Sequence, residues 1–169
     1  MKRWYLLATK PREDERAQLH LENQGYELFR PQVRKFRISQ GKQVPVIEPL
    51  FPRYIFISLD ELMSNWSRIR STRGVSQLVR FAEMPAVVPD QVISMLRKQC
   101  DADDIIDLTG ENPFVFNAGD EIEITGGSFK GIRAIIKEQT GEDRVLLLLD
   151  LLGKTQELEI PISHVKSSN

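Results

Sequence analysis

Residues 144–152 (RVLLLLDLL) satisfy two secondary-structure patterns at once. As a strand, residues 145–149 would turn alternate side chains inward and leave two leucines outside, where an ordinary half-exposed strand carries polar residues. As a helix, the same segment would place Leu148, Leu151 and Leu152 on one face, and leucine has a high helix propensity. The sequence therefore allows either structure here, and this choice decides the fold of the last third of the chain.

The residues before this segment favour strands. Gly119-Asp120 is followed by alternating apolar residues up to Ile124 and then by residues 127–131 (GSFKG). Glycine supplies turn conformations and alternation buries one face, so the pattern is typical of the start of a small β-barrel. Gly126-Gly127 opposes a helix, because each helical glycine costs ~1 kcal/mol relative to alanine. If a first helix forms, we expect it to begin near Ser128.

The first hundred residues predict an α+β domain, an antiparallel sheet with packed helices. Strands are expected at residues 4–9, 53–59 and 74–81, and a hairpin joins residues 28–38 to 44–50 through the turn SQGK. Helices are expected at residues 11–24 and 89–100, with an irregular or briefly helical stretch at 61–72. Residues 101–113 are acidic and end in turn formers, which indicates a linker. Residues 114–169 form the second predicted domain.

Charge divides the chain at the same place. Residues 1–100 carry 17 Lys and Arg against 10 Asp and Glu, whereas residues 101–169 carry 6 against 14. Two halves of opposite charge suggest domains with different partners. The basic half is a candidate for phosphate contact, and ordinary solvated surface charge is the alternative.

The residue types of common active sites are scarce. Two histidines and the single Cys100 do not make a usual metal site, and the glycines match neither phosphate-loop nor dinucleotide patterns. We expect no catalytic residue, no metal and no cofactor. A single cysteine excludes an internal disulfide and fits a reducing compartment, and no apolar run approaches a membrane span. The predicted localisation is cytoplasmic.

Three segments together resemble the NusG family of transcription elongation factors. They are residues 4–7 (WYLL), 48–56 (EPLFPRYIF) and 70–81 (RSTRGVSQLVRF). The glycine-rich stretch at 119–131 is similar to the KOW module of that family. Within the family, residues 70–81 and 141–154 are most similar to the RfaH branch of operon-specific antiterminators.

The resemblance implies a monomeric factor without catalytic activity. Its N-terminal domain would bind RNA polymerase at the clamp helices and gate loop, and would contact exposed single-stranded non-template DNA at a pause. Its KOW domain, as a five-stranded β-barrel, would bind a small-subunit ribosomal protein. In the RfaH branch this domain can instead fold as an α-helical hairpin docked on the N-terminal domain, where it masks the polymerase-binding patch.

The resemblance also implies roles for individual residues. The positions matching DNA contacts of the RfaH branch are Lys10, Arg16, His20, Thr72 and Arg73. Lysine and arginine attract phosphate, and arginine and histidine can stack on or hydrogen-bond to single-stranded bases. A solvated helix face is the alternative for the two residues in the predicted helix.

A second set of residues matches the polymerase-binding patch. It comprises Tyr54, Phe56, Ile93 and Leu96, which pattern alone would place in the core. Alternation cannot hide every member of residues 54–57, so one face of this strand needs a partner. Asn65-Trp66-Ser67 replaces a polar His-Thr-Thr stretch that contacts the gate loop in the RfaH branch. We expect Trp66 to be exposed and able to anchor a protein contact.

A third set matches the interdomain contact of the closed state. Glu48 and Arg144 correspond to the pair that bridges the domains, and Ile136, Leu148 and Leu151 would pack on the polymerase-binding patch. An exposed ion pair contributes only ~0–1 kcal/mol, so most closure energy must be apolar. Two alternatives stay open: a NusG paralogue whose KOW domain is always a barrel, and a ribosome-associated, RNA-binding KOW protein outside transcription.

Overall fold

A computed structural model describes residues 2–60, 62–110 and 129–168. In chain order the elements are β1 (Arg3–Thr9), α1 (Asp14–Asn23), β2 (Glu27–Phe29), β3 (Gln32–Ser39), β4 (Lys42–Pro49), β5 (Tyr54–Leu59), α2 (Leu62–Arg70), β6 (Val75–Leu78), β7 (Arg80–Phe81), β8 (Met84–Pro85), β9 (Val87–Val88), α3 (Asp90–Gln99), β10 (Ile105–Asp107), α4 (Phe129–Lys137) and α5 (Gly141–Ser168). The predicted α+β class is confirmed.

The main sheet is antiparallel and has the order β2-β5-β1-β6, with β9 also pairing with β1. Its central strand β1 lies opposite β5 in the register Leu6↔Phe56, so these two side chains point to the same face. The predicted strand at 28–38 is interrupted at Pro31, because proline cannot donate to a ladder. It therefore divides into β2, in the main sheet, and β3, in a second sheet.

The hairpin β3–β4 forms as predicted, in the register Ser39↔Lys42. Gln40 and Gly41 both have positive φ, of 52° and 76°, which is the geometry of a tight two-residue turn that matches strand twist. This register places Lys35 opposite Val46 and one diagonal step from Glu48, on the same face of the hairpin.

The linker predicted at 101–113 is wrong for its first part. Residues 105–107 form β10, which pairs in parallel with β3. Ile106 is fully buried and Ile105 is 9% exposed. The acidic composition of the segment concealed these two apolar residues.

Two apolar clusters lie on the two faces of the main sheet. One contains Ala17 of α1 and Ile69 of α2, together with Ile55, Ile57 and Leu59 of β5. The other contains Phe56 of β5, the inner residues of α3, and residues of both α4 and α5. Strand β5 thus presents alternate side chains to two different layers, as its period of two requires.

The described C-terminal residues, 129–168, form two helices joined by a short turn at residues 138–140. Of the two structures allowed by residues 144–152, the helix is the one adopted here. The glycine-rich hairpin signal, including Gly119-Asp120, Gly126-Gly127 and the helix start expected near Ser128, lies outside the described residues.

Candidate functional site

The apolar face formed by β5 and α3 is covered by α4 and α5. Phe56 is 1% exposed, Ile93 is 3% exposed and Leu96 is fully buried. On the opposite side, the interdomain residues expected from the resemblance are also buried: Ile136, Leu148 and Leu151. Both sets belong to one continuous cluster, so the structure brings these predicted patch and interdomain residues together.

The buried stripe of α5 has helical spacing. Its buried positions are Arg144, Leu148, Leu151, Leu152 and Thr155. They recur at intervals of three and four residues and therefore form one face of the helix. Tyr54 is only half-buried and packs at the edge of the cluster. Each such apolar side chain contributes roughly 1.5–3 kcal/mol on full burial, so the apolar contact dominates the docking energy.

Arg144 forms a buried polar anchor at one end of this interface. Its side chain is 1% exposed. Its Nε donates to the Leu50 carbonyl at 2.8 Å and its Nη1 donates to the Glu138 carbonyl at 2.9 Å. Its Nη2 donates to Glu48 Oε1 at 3.0 Å. Longer contacts reach the carbonyls of Gln139 at 3.3 Å and Pro49 at 3.4 Å. The planar guanidinium thus connects α5 both to residues 48–50 and to the preceding turn.

Glu48 is shared between two cations. Lys35 Nζ lies 2.8 Å from the same Oε1 that accepts from Arg144, and it also donates to the Gln139 carbonyl at 2.9 Å. Partial burial raises the pKa of Glu48, but hydrogen bonds from Lys35 and Arg144 and the two positive charges outweigh it, so the pKa is lowered. The carboxylate therefore stays ionised at neutral pH and bridges β3 and α5.

The first residue of α5 lies against the N-terminal domain. A Cβ added at Gly141 would lie 2.3 Å from Pro52 Cγ and 2.6 Å from its Cδ. Real Cβ atoms do not approach carbon so closely, so only glycine allows this approach. Residues 48–52 therefore supply acceptors for Arg144 and a close steric contact in one short segment.

Lys10, Arg16, His20 and Arg73 form what we call the basic face, at α1 and the loops before α1 and β6. Gly74 has φ of +89°, and a Cβ there would lie 2.8 Å from the Ala17 nitrogen, so the loop rests directly on the helix. Lys10 N donates to the Gly74 carbonyl at 2.8 Å. This packing brings the exposed side chains of Lys10 and Arg73 to the end of the sheet beside α1, which carries Arg16 and His20.

The members of the predicted DNA set differ in accessibility. Lys10, Arg16 and Arg73 are exposed, and His20 is half-buried. Arg16 pairs with Glu13 at 3.1 Å in an exposed contact that water and salt screen. Thr72 is 8% exposed, and its Oγ1 donates to the Arg68 carbonyl at 2.9 Å and accepts from Gln24 Nε2 at 2.8 Å. Its hydroxyl thus positions the loop in this structure.

Trp66 is not the exposed residue that the sequence predicted. It is half-buried and packs against the core between α2 and the sheet. The indole is large enough to reach the apolar cluster around Ile69 while part of it lines a surface cleft of about 310 Å³. Ser67 is exposed, and the side chain of Asn65 lies outside the described part of the chain.

Other chemistry has little support in the described residues. No group of three His, Cys, Asp or Glu side chains within them could hold a metal ion. No helix within them is long and apolar enough to cross a membrane. Burial, with the nearby charges of Asp104 and Asp101, raises the pKa of the Cys100 thiol to about 12. The thiol therefore stays protonated and is a poor nucleophile.

Two residues of these surfaces were missed from the sequence. Lys35 completes the Glu48 bridge. The turn at Gln40-Gly41 is a sequence signal from which Lys35 could have been predicted, because a two-residue turn fixes the register that places Lys35 and Glu48 on one face of the hairpin. Gln24 connects the His20 carbonyl with Thr72 Oγ1, at 3.1 Å and 2.8 Å. No pattern in the sequence indicates that contact, since its partners are 48 residues apart.

Comparisons with known proteins identify the family. The family model described as transcription termination factor nusG matches residues 2–97. The transcription termination/antitermination protein NusG of Deinococcus radiodurans is 25% identical over 184 residues, covering 96% of this chain and 97% of that protein. The NusG of Thermus thermophilus is 24% identical over 185 residues, covering 96% of each.

One solved structure, described as domain interaction in Thermotoga maritima NusG, matches with a TM-score of 0.37 and 24% identity, over 56% of this chain and 55% of that one. The family assignment rests on the family model, which matches more than half of the chain. The chain therefore belongs to the NusG family of transcription termination/antitermination factors.

Proposed function

We propose that this NusG-family protein is an RfaH-like antitermination factor whose C-terminal helices mask its polymerase-binding surface. Tyr54, Phe56, Ile93 and Leu96 would contact the polymerase clamp helices once α4 and α5 leave. The gate-loop contact would come from the Trp66 region. Membership of a family of transcription factors agrees with the expectation that the chain is not an enzyme.

The single observation that carries this proposal is the burial of the predicted patch beneath α4 and α5. An apolar binding patch that is exposed to solvent promotes unspecific association, so it is expected to be covered when its partner is absent. Here the chain covers the patch with its own helices, and Arg144 fixes their position with hydrogen bonds to Glu48 and the Leu50 carbonyl. Occupation by a C-terminal helical hairpin is what the RfaH resemblance implies for the closed state.

Recruitment to DNA is the second part of the proposal. Lys10, Arg16 and Arg73 offer exposed cations on one side of the molecule, away from the residues beneath α4 and α5, and His20 adds a ring that can stack on a base. This face stays open in the closed state, so exposed non-template DNA could bind before the helices are released. Thr72 would act through its backbone or by positioning the loop, because its hydroxyl already has two partners.

The released C-terminal domain would fold as a KOW barrel and contact a small-subunit ribosomal protein. Residues 144–152 are compatible with this part, because a strand at residues 145–149 would turn alternate apolar side chains inward and leave two leucines outside for a partner. In the intact chain we expect helical backbone shifts for residues 129–168. Residues 113–169 alone should give the circular dichroism of a β-barrel. Strand structure of these residues both in the intact chain and in the isolated segment would favour the alternative, a NusG paralogue with a permanent barrel.

The masking is tested with Glu48→Ala in the full chain. Loss of this acceptor should open the interface and raise the affinity for RNA polymerase, while the N-terminal domain keeps its fold. Glu27→Ala is the matched control, because Glu27 pairs with Arg97 at 3.7 Å on the surface, where the two side chains are 51% and 45% exposed. Equal polymerase affinity for wild type, Glu48→Ala and Glu27→Ala would contradict masking. Binding to ribosomal RNA without binding to an elongation complex would favour the ribosome-associated alternative.

A further inference from the structure

A surface cleft of about 310 Å³ lies between the C-terminal half of α2 and the strands β6 and β7. Its lining is Trp66, Arg70, Ser76, Gln77, Leu78 and Arg80. The set contains one aromatic ring, two guanidinium groups, one hydroxyl and one amide. Among the described residues, no carboxylate lines this cleft. Its volume is at the lower end of the range for small-molecule sites.

The aromatic wall of the cleft has a fixed position. Trp66 is half-buried, because one part of its ring packs on the core that contains Ile69 and Leu78. An indole held in this way loses little conformational freedom when a planar ligand stacks on its open part. Half-burial therefore suits a stacking platform better than a flexible exposed contact.

The two arginines are held differently. Arg80 donates from Nη1 to the Glu83 carbonyl at 3.2 Å, which anchors its guanidinium beside the β7–β8 hairpin. Arg70 is exposed, and within the described residues its side chain makes no hydrogen bond or ion pair. Two guanidinium groups without an opposing carboxylate favour an anion with several oxygens, such as phosphate.

We propose that this cleft binds a nucleotide, with its base stacked on Trp66 and its phosphate between Arg70 and Arg80. Ser76 and Gln77 are exposed on β6 and supply a hydroxyl and an amide that can hydrogen-bond to a base edge. Aromatic stacking contributes ~1–3 kcal/mol per base and accepts any base, so the polar pair would set any preference.

This site goes beyond the proposed function and is separate from the basic face at α1. Its lining shares no side chain with Lys10, Arg16, His20 or Arg73. It also gives Trp66 a ligand other than the gate loop. The nucleotide could come from a free pool or from a single strand of nucleic acid, and the chemistry of recognition is the same for both.

The test is quenching of Trp66 fluorescence in the full chain carrying Trp4→Phe. Trp4 is the other tryptophan, and it lies outside the cleft with the Arg97 guanidinium 5.2 Å from its ring centroid. Titration with thymidine monophosphate, guanosine monophosphate and a nine-residue oligothymidylate should give saturable quenching. Quenching by the mononucleotides indicates a free nucleotide, and quenching by the oligonucleotide alone indicates a strand. Both support the site.

Arg70→Gln and Arg80→Gln should each weaken binding about tenfold, the loss expected for a charge-assisted hydrogen bond to phosphate. Arg68→Gln is the matched control, because Arg68 lies on the same helix and is exposed, yet does not line the cleft. It should change affinity less than twofold. Trp66→Phe removes the fluorescent reporter, so its nucleotide binding is measured by isothermal titration calorimetry against wild type. It keeps an aromatic ring for packing and should weaken binding with an unchanged circular dichroism spectrum.

Absence of quenching by all three probes would overturn the proposal. An equal loss for Arg68→Gln and Arg70→Gln would also overturn it, since that result indicates general charge attraction. If Trp66→Phe reduced the affinity for polymerase and left the affinity for nucleotides unchanged, the residue would serve a protein contact and the nucleotide site would be excluded. Because no titration contains polymerase, failure of the nucleotide site and failure of polymerase masking are separately visible.

Discussion

Arg144→Lys tests whether the buried anchor depends on guanidinium geometry or only on positive charge. Arginine spans three acceptors in different directions, at 2.8 Å to Leu50 O, 2.9 Å to Glu138 O and 3.0 Å to Glu48 Oε1. A lysine ammonium is a single point and cannot occupy the positions of Nε, Nη1 and Nη2 together. We expect the closed state to lose at least two of these bonds.

The size of the effect follows from these contacts. A hydrogen bond to a charged group contributes about 1.5–3 kcal/mol, so losing two destabilises docking by about 3 kcal/mol or more. Glu48→Gln should cost only about 1 kcal/mol, because the residue is about one-third exposed and its amide oxygen can still accept from Arg144. The two variants should therefore differ by about 2 kcal/mol, or roughly 30-fold in the opening equilibrium.

Hydrogen exchange of the α5 backbone amides measures this opening directly, because docked helices exchange through the open state. Lys154→Ala is the control variant. Lys154 forms an exposed pair with Asp150 at 3.1 Å on the same helix, with side chains 60% and 62% exposed. Loss of this pair should change the free energy of opening measured by exchange by less than about 0.5 kcal/mol. If Glu48→Gln opened the interface as much as Arg144→Lys, the carbonyl contacts would not carry the anchor and the reasoning would be refuted.

Four further outcomes follow from the same geometry. The pKa of Glu48 is lowered in the docked state from its usual 4.5, so Glu48 stabilises docking above pH 4.5 and this stabilisation is lost as pH falls through the lowered value. Hydrogen exchange of the α5 amides should report the loss in wild type but not in Glu48→Gln. Gly141→Ala should open the docked helices by about 1–3 kcal/mol despite its better helix propensity, because its Cβ meets Pro52, and slower α5 exchange would contradict this. Gly74→Ala should lower the free energy of unfolding by about 2 kcal/mol, since φ is +89° and backbone atoms lie under 3 Å from the new Cβ; an unchanged Tm would be inconsistent with that packing. Cys100, with its pKa raised to about 12, should react with a thiol reagent at pH 8 at least tenfold more slowly in the folded than in the unfolded chain, and equal rates would exclude a protected thiol.

The sequence predicted the N-terminal fold well because its elements have strong local signals. Strand β5 is rich in β-branched and aromatic residues, α3 has a helical apolar stripe, and Gln40-Gly41 marks the hairpin turn. The prediction failed where the decisive contact is distant in sequence. Ile105 and Ile106 looked like linker residues because their partner strand β3 lies some 70 residues earlier. Trp66 looked exposed because the core beneath α2 cannot be seen in its local pattern.

The candidate sites show the same division. The residues of the basic face came from resemblance, since charge alone only made the first hundred residues a candidate for phosphate contact. The use of the Thr72 hydroxyl within the loop could not be anticipated, since it depends on Gln24 in a different element. The Glu48–Arg144 contact came from resemblance, not from spacing. The resemblance did not predict that most acceptors of Arg144 are backbone carbonyls. Main-chain acceptors leave no residue type in the sequence to identify them.

Leu146 distinguishes the two structures that residues 144–152 allow. In α5 the leucines at 148, 151 and 152 are buried, yet Leu146 is 64% exposed on the opposite side. An exposed leucine contributes nothing to docking, so the docked helix places no demand for an apolar residue at this position. In a strand, Leu146 and Leu148 would share one face, and an apolar pair on that face suits a protein partner. The exposed leucine therefore supports the proposal that this segment serves a second structure, and Leu146→Gln should leave α5 docking unchanged while weakening contacts of the released domain.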